Sequence, residues 1–352
     1  MPFDLVQAWP APSTPLPIVI IGAGGIVENA HLPAYRKLGL PVRGLFDTDP
    51  AASRARAERF AIETVYGSLA EAAAESGVIF DIAVPARAVL SVLSALPDGS
   101  SALIQKPLGE TLDEARRIRD LCTEKDMVAA VNFQLRFSPN MLALAHAIRL
   151  GTLGDIVDVE VRVNTYTPWQ LWPFLAGIPR HEILYHSIHY LDLVRSLLGE
   201  PKSVHCKVTR HPLLESYSDT RSATILDYGE FSRAVLVINH SHEFGQKHAM
   251  SELKVEGTRG AAIARMGVNL DYPRGVSDTL ELCERGRGEW QSVPLRGSWF
   301  PEAFEGTISN LQRFVAGEDG TLVTSVADAY RTMALVEACY ESSATKTTDV
   351  PQ

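Results

Sequence analysis

The run Glu182-Ile-Leu-Tyr-His-Ser-Ile-His-Tyr-Leu-Asp192 gathers two histidines, two tyrosines and two carboxylates within eleven residues. Imidazole titrates nearest to neutral pH, so a histidine here can take a proton from a reacting hydroxyl and a neighbouring carboxylate can tune it. Leu184, Ile188, Leu191, Val194 and Leu198 recur at three- and four-residue spacing, which predicts a helix with one buried stripe. Glu182, Tyr185, His189, Asp192 and Ser196 form a second stripe beside it, because successive residues turn by about 100° around a helix. Titratable groups flanking a core face describe a cleft wall. His189 is the candidate base, Tyr185 a hydrogen-bond partner for the reacting oxygen, and His181 and His186 are candidate substrate contacts. His186 and His189 share a helix face, but the spacing is not His-Glu-x-x-His and no thiolate accompanies them, so no metal is expected. His240 and His242 alternate along an expected strand and read as sheet-face histidines.

Removing a proton from an alcohol is half of an oxidation; the other half is a hydride acceptor. Ile18 to Ile21 reads as a short buried strand, followed by the glycine turn Gly22-Ala-Gly24-Gly25-Ile26-Val27 and a helical segment from Asn29 to Leu38. Backbone N–H groups at such a turn can approach a pyrophosphate at the start of a helix. Val27 stands where the pattern usually has glycine or alanine, which spaces helix and strand further apart. A second strand, Val42 to Phe46, ends in Asp47, near the roughly 20-residue offset at which a carboxylate meets the adenine ribose. Asp47 favours NAD over NADP because it would repel a 2′-phosphate; Arg54 and Arg56 are the nearby residues that would argue the other way.

Strands and helices then alternate as far as Val131, predicting a doubly wound parallel sheet. Thr111-Leu-Asp-Glu114 is a capping box that opens a helix, with Leu112, Ala115, Ile118 and Leu121 on its core face. The strand Ala102 to Ile104 delivers Gln105 and Lys106 to the crevice end of the sheet, and Val128 to Val131 delivers Asn132. The expected cofactor contacts are therefore Gly22, Gly24, Gly25, Ile26, Val27, Asp47, Pro85, Gln105, Lys106 and Asn132.

The glycine turn, the acidic residue after the second strand, the step Lys106-Pro107 and the His189-x-x-Asp192 helix together resemble the glucose-fructose oxidoreductase/inositol dehydrogenase/rhizopine-catabolism (Gfo/Idh/MocA) family, from Ile18 to about Val350. The resemblance implies an NAD(P)-dependent dehydrogenase acting on the CH–OH group of a sugar, polyol or related carbohydrate. It implies that Lys106 touches both nicotinamide ribose and substrate, and that Lys106, His189 and Tyr185 carry the chemistry. It also admits a glycosidase that uses bound NAD as a transient oxidant, and a non-catalytic dinucleotide sensor, though keeping both Lys106 and His189 argues against the sensor. Gln105 replaces the family's usual glutamate, so Lys106 is expected to titrate lower than is usual there. Tyr185 and Ser187 replace an aspartate and a glycine; Tyr185 cannot supply the charge that would raise the pKa of His189, a task left to Asp192 or Glu182.

From a helix near Asn140 to Leu150 onward the pattern turns to period two. Segments at 156–163, 203–209, 223–227, 233–240, 252–256, 261–265, 279–283 and 290–293 read as strands of one large, mostly antiparallel sheet. Helices return at 304–316 and 325–342, the latter with Val326, Tyr330, Met333 and Val336 on its core face. The fold class is thus α/β: an N-terminal Rossmann-type sheet plus a C-terminal α+β domain. The expected boundaries are a proline-rich arm at 1–17, a dinucleotide-binding domain at 18–138, and a substrate-binding and oligomerisation domain at 139–352. Between its first strand and the histidine helix lies an aromatic segment with Tyr166, Trp169, Trp172 and Phe174, either a sugar-stacking surface or a hydrophobic lid. Trp169, Trp172 and Arg136 complete the candidate substrate contacts.

A chain of 352 residues is long for one core, which agrees with two domains. The net charge of −9 disfavours nucleic acid or an anionic membrane as the partner and leaves small molecules. Cys122, Cys206, Cys283 and Cys339 show no paired spacing and read as reduced thiols. No apolar run reaches the ~18 residues of a membrane span, and the expectation is a cytoplasmic protein. In the resembling family the large sheet pairs with another subunit, which implies a homodimer or homotetramer.

Overall fold

The computed structural model describes residues 4–272 and 274–345. The chain forms two compact units, one of residues 1–143 and 295–333, the other of residues 144–294 and 334–352.

Unit 1 is built on a six-stranded parallel sheet in the order β3-β2-β1-β4-β5-β6. Its strands are β1 (Ile18–Ile21), β2 (Val42–Phe46), β3 (Thr64–Val65), β4 (Ile79–Ile82), β5 (Ser101–Ile104) and β6 (Val128–Val131). Every residue of β1, β4 and β5 is buried, as expected of strands covered on both faces. The helices α1 (Leu32–Leu38), α2 (Pro50–Phe60), α3 (Leu69–Ala73), α4 (Ala86–Ala95) and α5 (Leu112–Glu124) alternate with them. The strand order reverses direction between β1 and β4, which is where a doubly wound sheet opens its binding crevice.

Local chemistry explains several boundaries. Ser68 and Thr111 cap α3 and α5, and Thr111 Oγ1 accepts from Glu114 N at 3.1 Å. Glu114 returns to the N–H of Glu110 rather than of Thr111, at 2.7 Å, so the box closes one residue early. On α5 the buried positions are Ala115, Ile118 and Cys122; Leu112 and Leu121 are only partly covered. Strand β3 is too short to show a period in the sequence and comes from the tertiary fold alone.

The segment 295–333 belongs to unit 1, whereas the sequence reading ran the second domain unbroken from 139 to 352. The reason is a stripe on α8 (Glu302–Val315): Phe304, Ile308 and Leu311 fill the core that Tyr35, Leu45 and Ile79 leave open. The described part of the proline-rich arm, from residue 4 onward, also lies on this unit; residues 1–3 of the arm lie outside the described residues. Trp9 stands edge-on to Phe137 at 5.2 Å and donates to Asp319 Oδ2 at 2.7 Å, and Leu16 exchanges two hydrogen bonds with the Gln312 side chain.

Unit 2 is an eight-stranded sheet in the order β14-β13-β12-β11-β7-β10-β9-β8. The strands are β7 (Ile156–Asn164), β8 (Ser203–Thr209), β9 (Arg221–Asp227), β10 (Arg233–Asn239), β11 (Met250–Gly257), β12 (Gly260–Arg265), β13 (Thr279–Glu284) and β14 (Gln291–Ser292). All neighbours are antiparallel except β7 and β10. Alternation decides the faces: Ala234, Leu236 and Ile238 point into the core, and Val235 and Val237 lie on the opposite face. The core face is covered by α7 (Ile188–Leu198), which packs against β7. Helix α6 (Pro139–Arg149) leads into this unit, and the last turns of α9 (Val326–Ala344) belong to it. Among the described residues, no helix is long and apolar enough to cross a membrane.

Candidate functional site

In unit 1 the glycine turn is shaped by close backbone contact. Gly22 has φ +109, and a Cβ there would lie 2.3 Å from the carbonyl oxygen of Ala83, so no other residue fits. A Cβ on Gly24 would meet nothing within 4 Å, and one on Gly25 only the Asn29 amide at 3.9 Å. The space beside these two glycines is therefore open for a ligand's phosphates, which is what the cofactor requires. Ile26 and Val27 follow, and a π-turn spans Val27–His31 before α1 begins.

Asp47, at the end of β2, accepts from Ala23 N at 2.6 Å and from Asp49 N at 2.8 Å. These bonds tie the acidic tip to the glycine turn and fix where the carboxylate points. Arg56 is committed to Glu28 at 2.7 Å, and Arg59 to the same carboxylate. Pro85 sits at the start of α4, after β4. Gln105 N bonds the Ile82 carbonyl at 2.9 Å, and its buried Oε1 has no hydrogen-bond partner. Beside it, burial pushes the Lys106 ammonium down from the ordinary lysine value to about 8.

Asn132 and Arg136 are placed differently. Asn132 is fully buried, with its amide between His31 Nε2 at 3.3 Å and the Thr307 hydroxyl at 2.9 Å. His31 Nδ1 in turn bonds Asp81 Oδ2 at 2.7 Å, and the Tyr35 hydroxyl donates to the same oxygen at 2.8 Å. The result is a core network behind the sheet. The guanidinium of Arg136 bonds Asp328 at 2.7 Å and the Val323 carbonyl at 3.3 Å.

In unit 2 the run that opens at Glu182 does begin a helix, but not with α geometry. Ile183–Ser187 is a π-turn, with Ile188 N bonding back to Ile183, and α7 starts only at Ile188. A π-turn carries an extra residue, so Glu182 and Tyr185 are rotated relative to His189 from the stripe that α spacing predicts. Ser187, five residues on, thereby reaches Glu182 with its hydroxyl.

The free N–H groups of this helix start are capped from elsewhere. Asp219 Oδ1 accepts from His181 N at 2.9 Å and Glu182 N at 3.2 Å. The Tyr340 hydroxyl receives Leu184 N at 3.4 Å and donates to Asp219 Oδ2 at 3.3 Å. Tyr185 and His189, both nearly buried, are carried on this braced start. Asp192 is buried 3.8 Å from Arg195.

Around them Trp169 is a hub. His181 lies 4.2 Å from its ring, His186 4.6 Å and His240 5.5 Å, all edge-on, with Trp172 6.4 Å away. His181 also stacks on Tyr217 at 5.0 Å, and burial lowers its pKa. Glu182 is fully buried, 3.4 Å from His240 Nε2; burial alone would raise its pKa, but His240 and the Ser187 hydroxyl hold it below the usual value. The buried atoms Trp169 Nε1, His181 Nε2 and Glu182 Oε2 have no hydrogen-bond partner.

Sequence reading brought His181, Tyr185, His186, His189, Trp169 and Trp172 to one unit and missed Asp219, Tyr340 and the role of His240. His240 is no sheet-face residue: it follows β10, is buried, and bonds the Thr167 hydroxyl at 2.8 Å. Asp219 and Tyr340 lie far from the helix in sequence, so no local motif could have marked them. Among the described residues, no group of three His, Cys, Asp or Glu could hold a metal ion.

Comparison with known proteins finds two family profiles, the second running unbroken through the 295–333 segment that the structure packs in unit 1. Residues 16–133 match the profile for the oxidoreductase family's NAD-binding Rossmann fold, and residues 145–351 the profile for the same family's C-terminal alpha/beta domain. The chain is 28% identical to the D-apiose dehydrogenase of Paraburkholderia graminis, over 92% of this chain and 86% of that protein. It is 22% identical to the levoglucosan dehydrogenase of Pseudarthrobacter phenanthrenivorans, over 96% and 98%. Among solved structures, an oxidoreductase from Agrobacterium radiobacter in complex with NAD+, L-tartaric acid and magnesium superimposes with a TM-score of 0.77 at 22% identity, covering 94% of this chain and 97% of that one. With both profiles matched across nearly its whole length, the chain belongs to the Gfo/Idh/MocA oxidoreductase family, as an NAD-binding Rossmann unit joined to the family's C-terminal domain.

Proposed function

We propose that this protein is an NAD-dependent dehydrogenase of a sugar, polyol or related carbohydrate, with His189 as the base. The observation that carries the reading is the braced helix start of unit 2, which spends Asp219 and Tyr340 on holding Tyr185 and His189 in place. NAD, when bound, supplies the hydride acceptor. In unit 1 the glycine turn takes its pyrophosphate and Asp47 its adenine ribose diol, with Pro85, Gln105 and Lys106 toward the nicotinamide end. His189 takes the proton of the hydroxyl being oxidised and Tyr185 holds that oxygen; Lys106 keeps the role the family resemblance implies, contact with nicotinamide ribose and substrate. His181, His186, Trp169 and Trp172 shape the carbohydrate's surroundings.

NAD is favoured over NADP because a 2′-phosphate would meet the Asp47 carboxylate, and Arg56, one of the two arginines that argue the other way, is paired with Glu28. The relatives that act on apiose and levoglucosan support a carbohydrate substrate without identifying which one. The open face of the unit 2 sheet, with Ile225 48% and Val237 43% exposed, is the proposed surface for a homodimer or homotetramer, to be checked by light scattering.

The test is a panel of sugars and polyols with NAD and NADP, read as NADH or NADPH formation. At least one carbohydrate should give steady turnover with NAD and a poorer rate with NADP. NAD held tightly with no net reduction, or a preference for NADP, would overturn the reading.

A further inference from the structure

Two of the four cysteines, both buried, lie on elements that are hydrogen-bonded to each other. Cys206 lies on β8, with its Sγ 3.2 Å from Thr224 Oγ1, and Cys339 lies on α9, its thiol near enough to shift the titration of Cys206. The backbone on both sides is fastened at this point. Cys206 N donates to Ser342 Oγ at 2.9 Å, Val208 N to Ser343 Oγ at 3.0 Å, and Lys207 Nζ to the Ser343 carbonyl at 3.2 Å. Ser342 and Ser343 follow Cys339 by three and four residues and so share its helix face. Since β8 is the edge strand of its sheet, these serines take up N–H groups that would otherwise face outward.

We propose that Cys206 and Cys339 form an oxidation site at which a small hydroperoxide such as hydrogen peroxide closes a disulfide between the edge strand and the C-terminal helix. The Cys206 thiolate attacks one peroxide oxygen, the O–O bond breaks, and hydroxide leaves as a sulfenic acid forms. Cys339 sulfur then attacks Cys206 Sγ, giving up its proton and displacing the second hydroxide. Two thiols and one peroxide become one disulfide and two waters. The thiol contact with Cys339 holds Cys206 below the ordinary cysteine range, burial opposes this, and Thr224 adds to the lowering. Cys206, which is also the more exposed of the two, is accordingly the attacking sulfur. Cys122, which burial pushes up to about 11, and Cys283, half-buried on β13, have no such role.

The site is connected to the helix start described above, because Tyr340 follows Cys339 directly and caps Leu184 and Asp219. Closing a bond of about 2 Å between the sulfurs pulls on that turn of α9, and with it on the Tyr340 hydroxyl. The functional weight of this link rests on the proposed reading of Tyr185 and His189; the oxidation itself does not.

The experiment treats the reduced, folded chain with hydrogen peroxide, blocks remaining thiols after unfolding, and maps the peptides by mass. A Cys206–Cys339 cross-link lacking two hydrogen atoms is expected in the wild type and in Cys283→Ser, and none in Cys206→Ser or Cys339→Ser. Faster deuterium exchange at the Leu184 amide is expected in the oxidised form. The wild type alone is decisive: if both thiols remain free or advance to sulfinic acid without cross-linking, or cross-link only where denaturant unfolds the chain, the site is refuted. A cross-link with unchanged Leu184 exchange refutes the link to the helix. A cross-link in a protein that reduces no NAD supports the oxidation site and leaves the dehydrogenase reading to fall by its own test.

Discussion

Each unit opens a key helix with a π-turn that carries a histidine, and the two are finished differently. In unit 1 the turn Val27–His31 ends at His31, whose two ring nitrogens face Asp81 and Asn132, while Tyr35 and Thr307 close the network on either side. All five residues are nearly or fully buried. In unit 2 the turn Ile183–Ser187 carries His186 against Trp169 and His240, and Trp169 Nε1, His181 Nε2 and Glu182 Oε2 are left without partners. A buried polar atom without a partner costs about 1–3 kcal/mol, so a fold keeps several together only where something else offsets the cost. The unit 1 network leaves one atom, Asp81 Oδ1, without a partner and reads as scaffolding; the unit 2 cluster, with several, reads as a place for ligand hydroxyls.

The largest effect should come from breaking the unit 1 network. Asp81→Ala leaves the buried Tyr35 hydroxyl and His31 N–H without an acceptor, and should cost about 3–5 kcal/mol in urea unfolding. A loss below about 1 kcal/mol would show that the network is not structural.

His189→Asn should do the opposite. It should lower the rate of carbohydrate oxidation at least ~10²-fold and remove the pH-dependent limb that a titrating imidazole gives, while leaving the unfolding midpoint and NAD affinity nearly unchanged. Near-normal turnover with the same pH profile would place the base elsewhere, with Tyr185 and Lys106 the next to examine.

The smallest effect concerns Lys106, whose pKa burial draws to about 8. Its ammonium is present below that pH and lost above it, so the KM for the carbohydrate should rise a few-fold through pH 8. Lys106→Arg, which stays charged, should flatten the rise. The sign for stability runs the other way. Between about 8 and 10.5 the unfolded chain holds a proton that the folded one lacks, so this lysine's contribution to stability grows with pH across that window. An unchanged KM profile in the arginine variant would remove Lys106 from substrate contact.

The sequence by itself determined the periodic elements and the local turns. Continuous apolar runs at Ile18–Ile21 and Ala102–Ile104, the glycine turn before Val27 and the carboxylate of Asp47 are set by neighbours a few residues away, and each lies where its pattern predicts. The same holds for the alternation along β7 to β13, since period two fixes which side chain faces the core whatever the strand order. Tertiary structure alone decided the rest. The π-turns insert one residue where the sequence shows an unbroken helical period, and so re-aim Tyr185 against His189. Asn132 and Arg136 follow a strand end that promised a crevice, but their amide and guanidinium are taken by Thr307 and Asp328, residues from a segment the sequence assigned to the other domain. Asp219 and Tyr340 cap the histidine helix across more than thirty and more than a hundred and fifty residues respectively. A cap of that kind leaves no local signature, because what selects the residue is a position in space that exists only once the chain has folded.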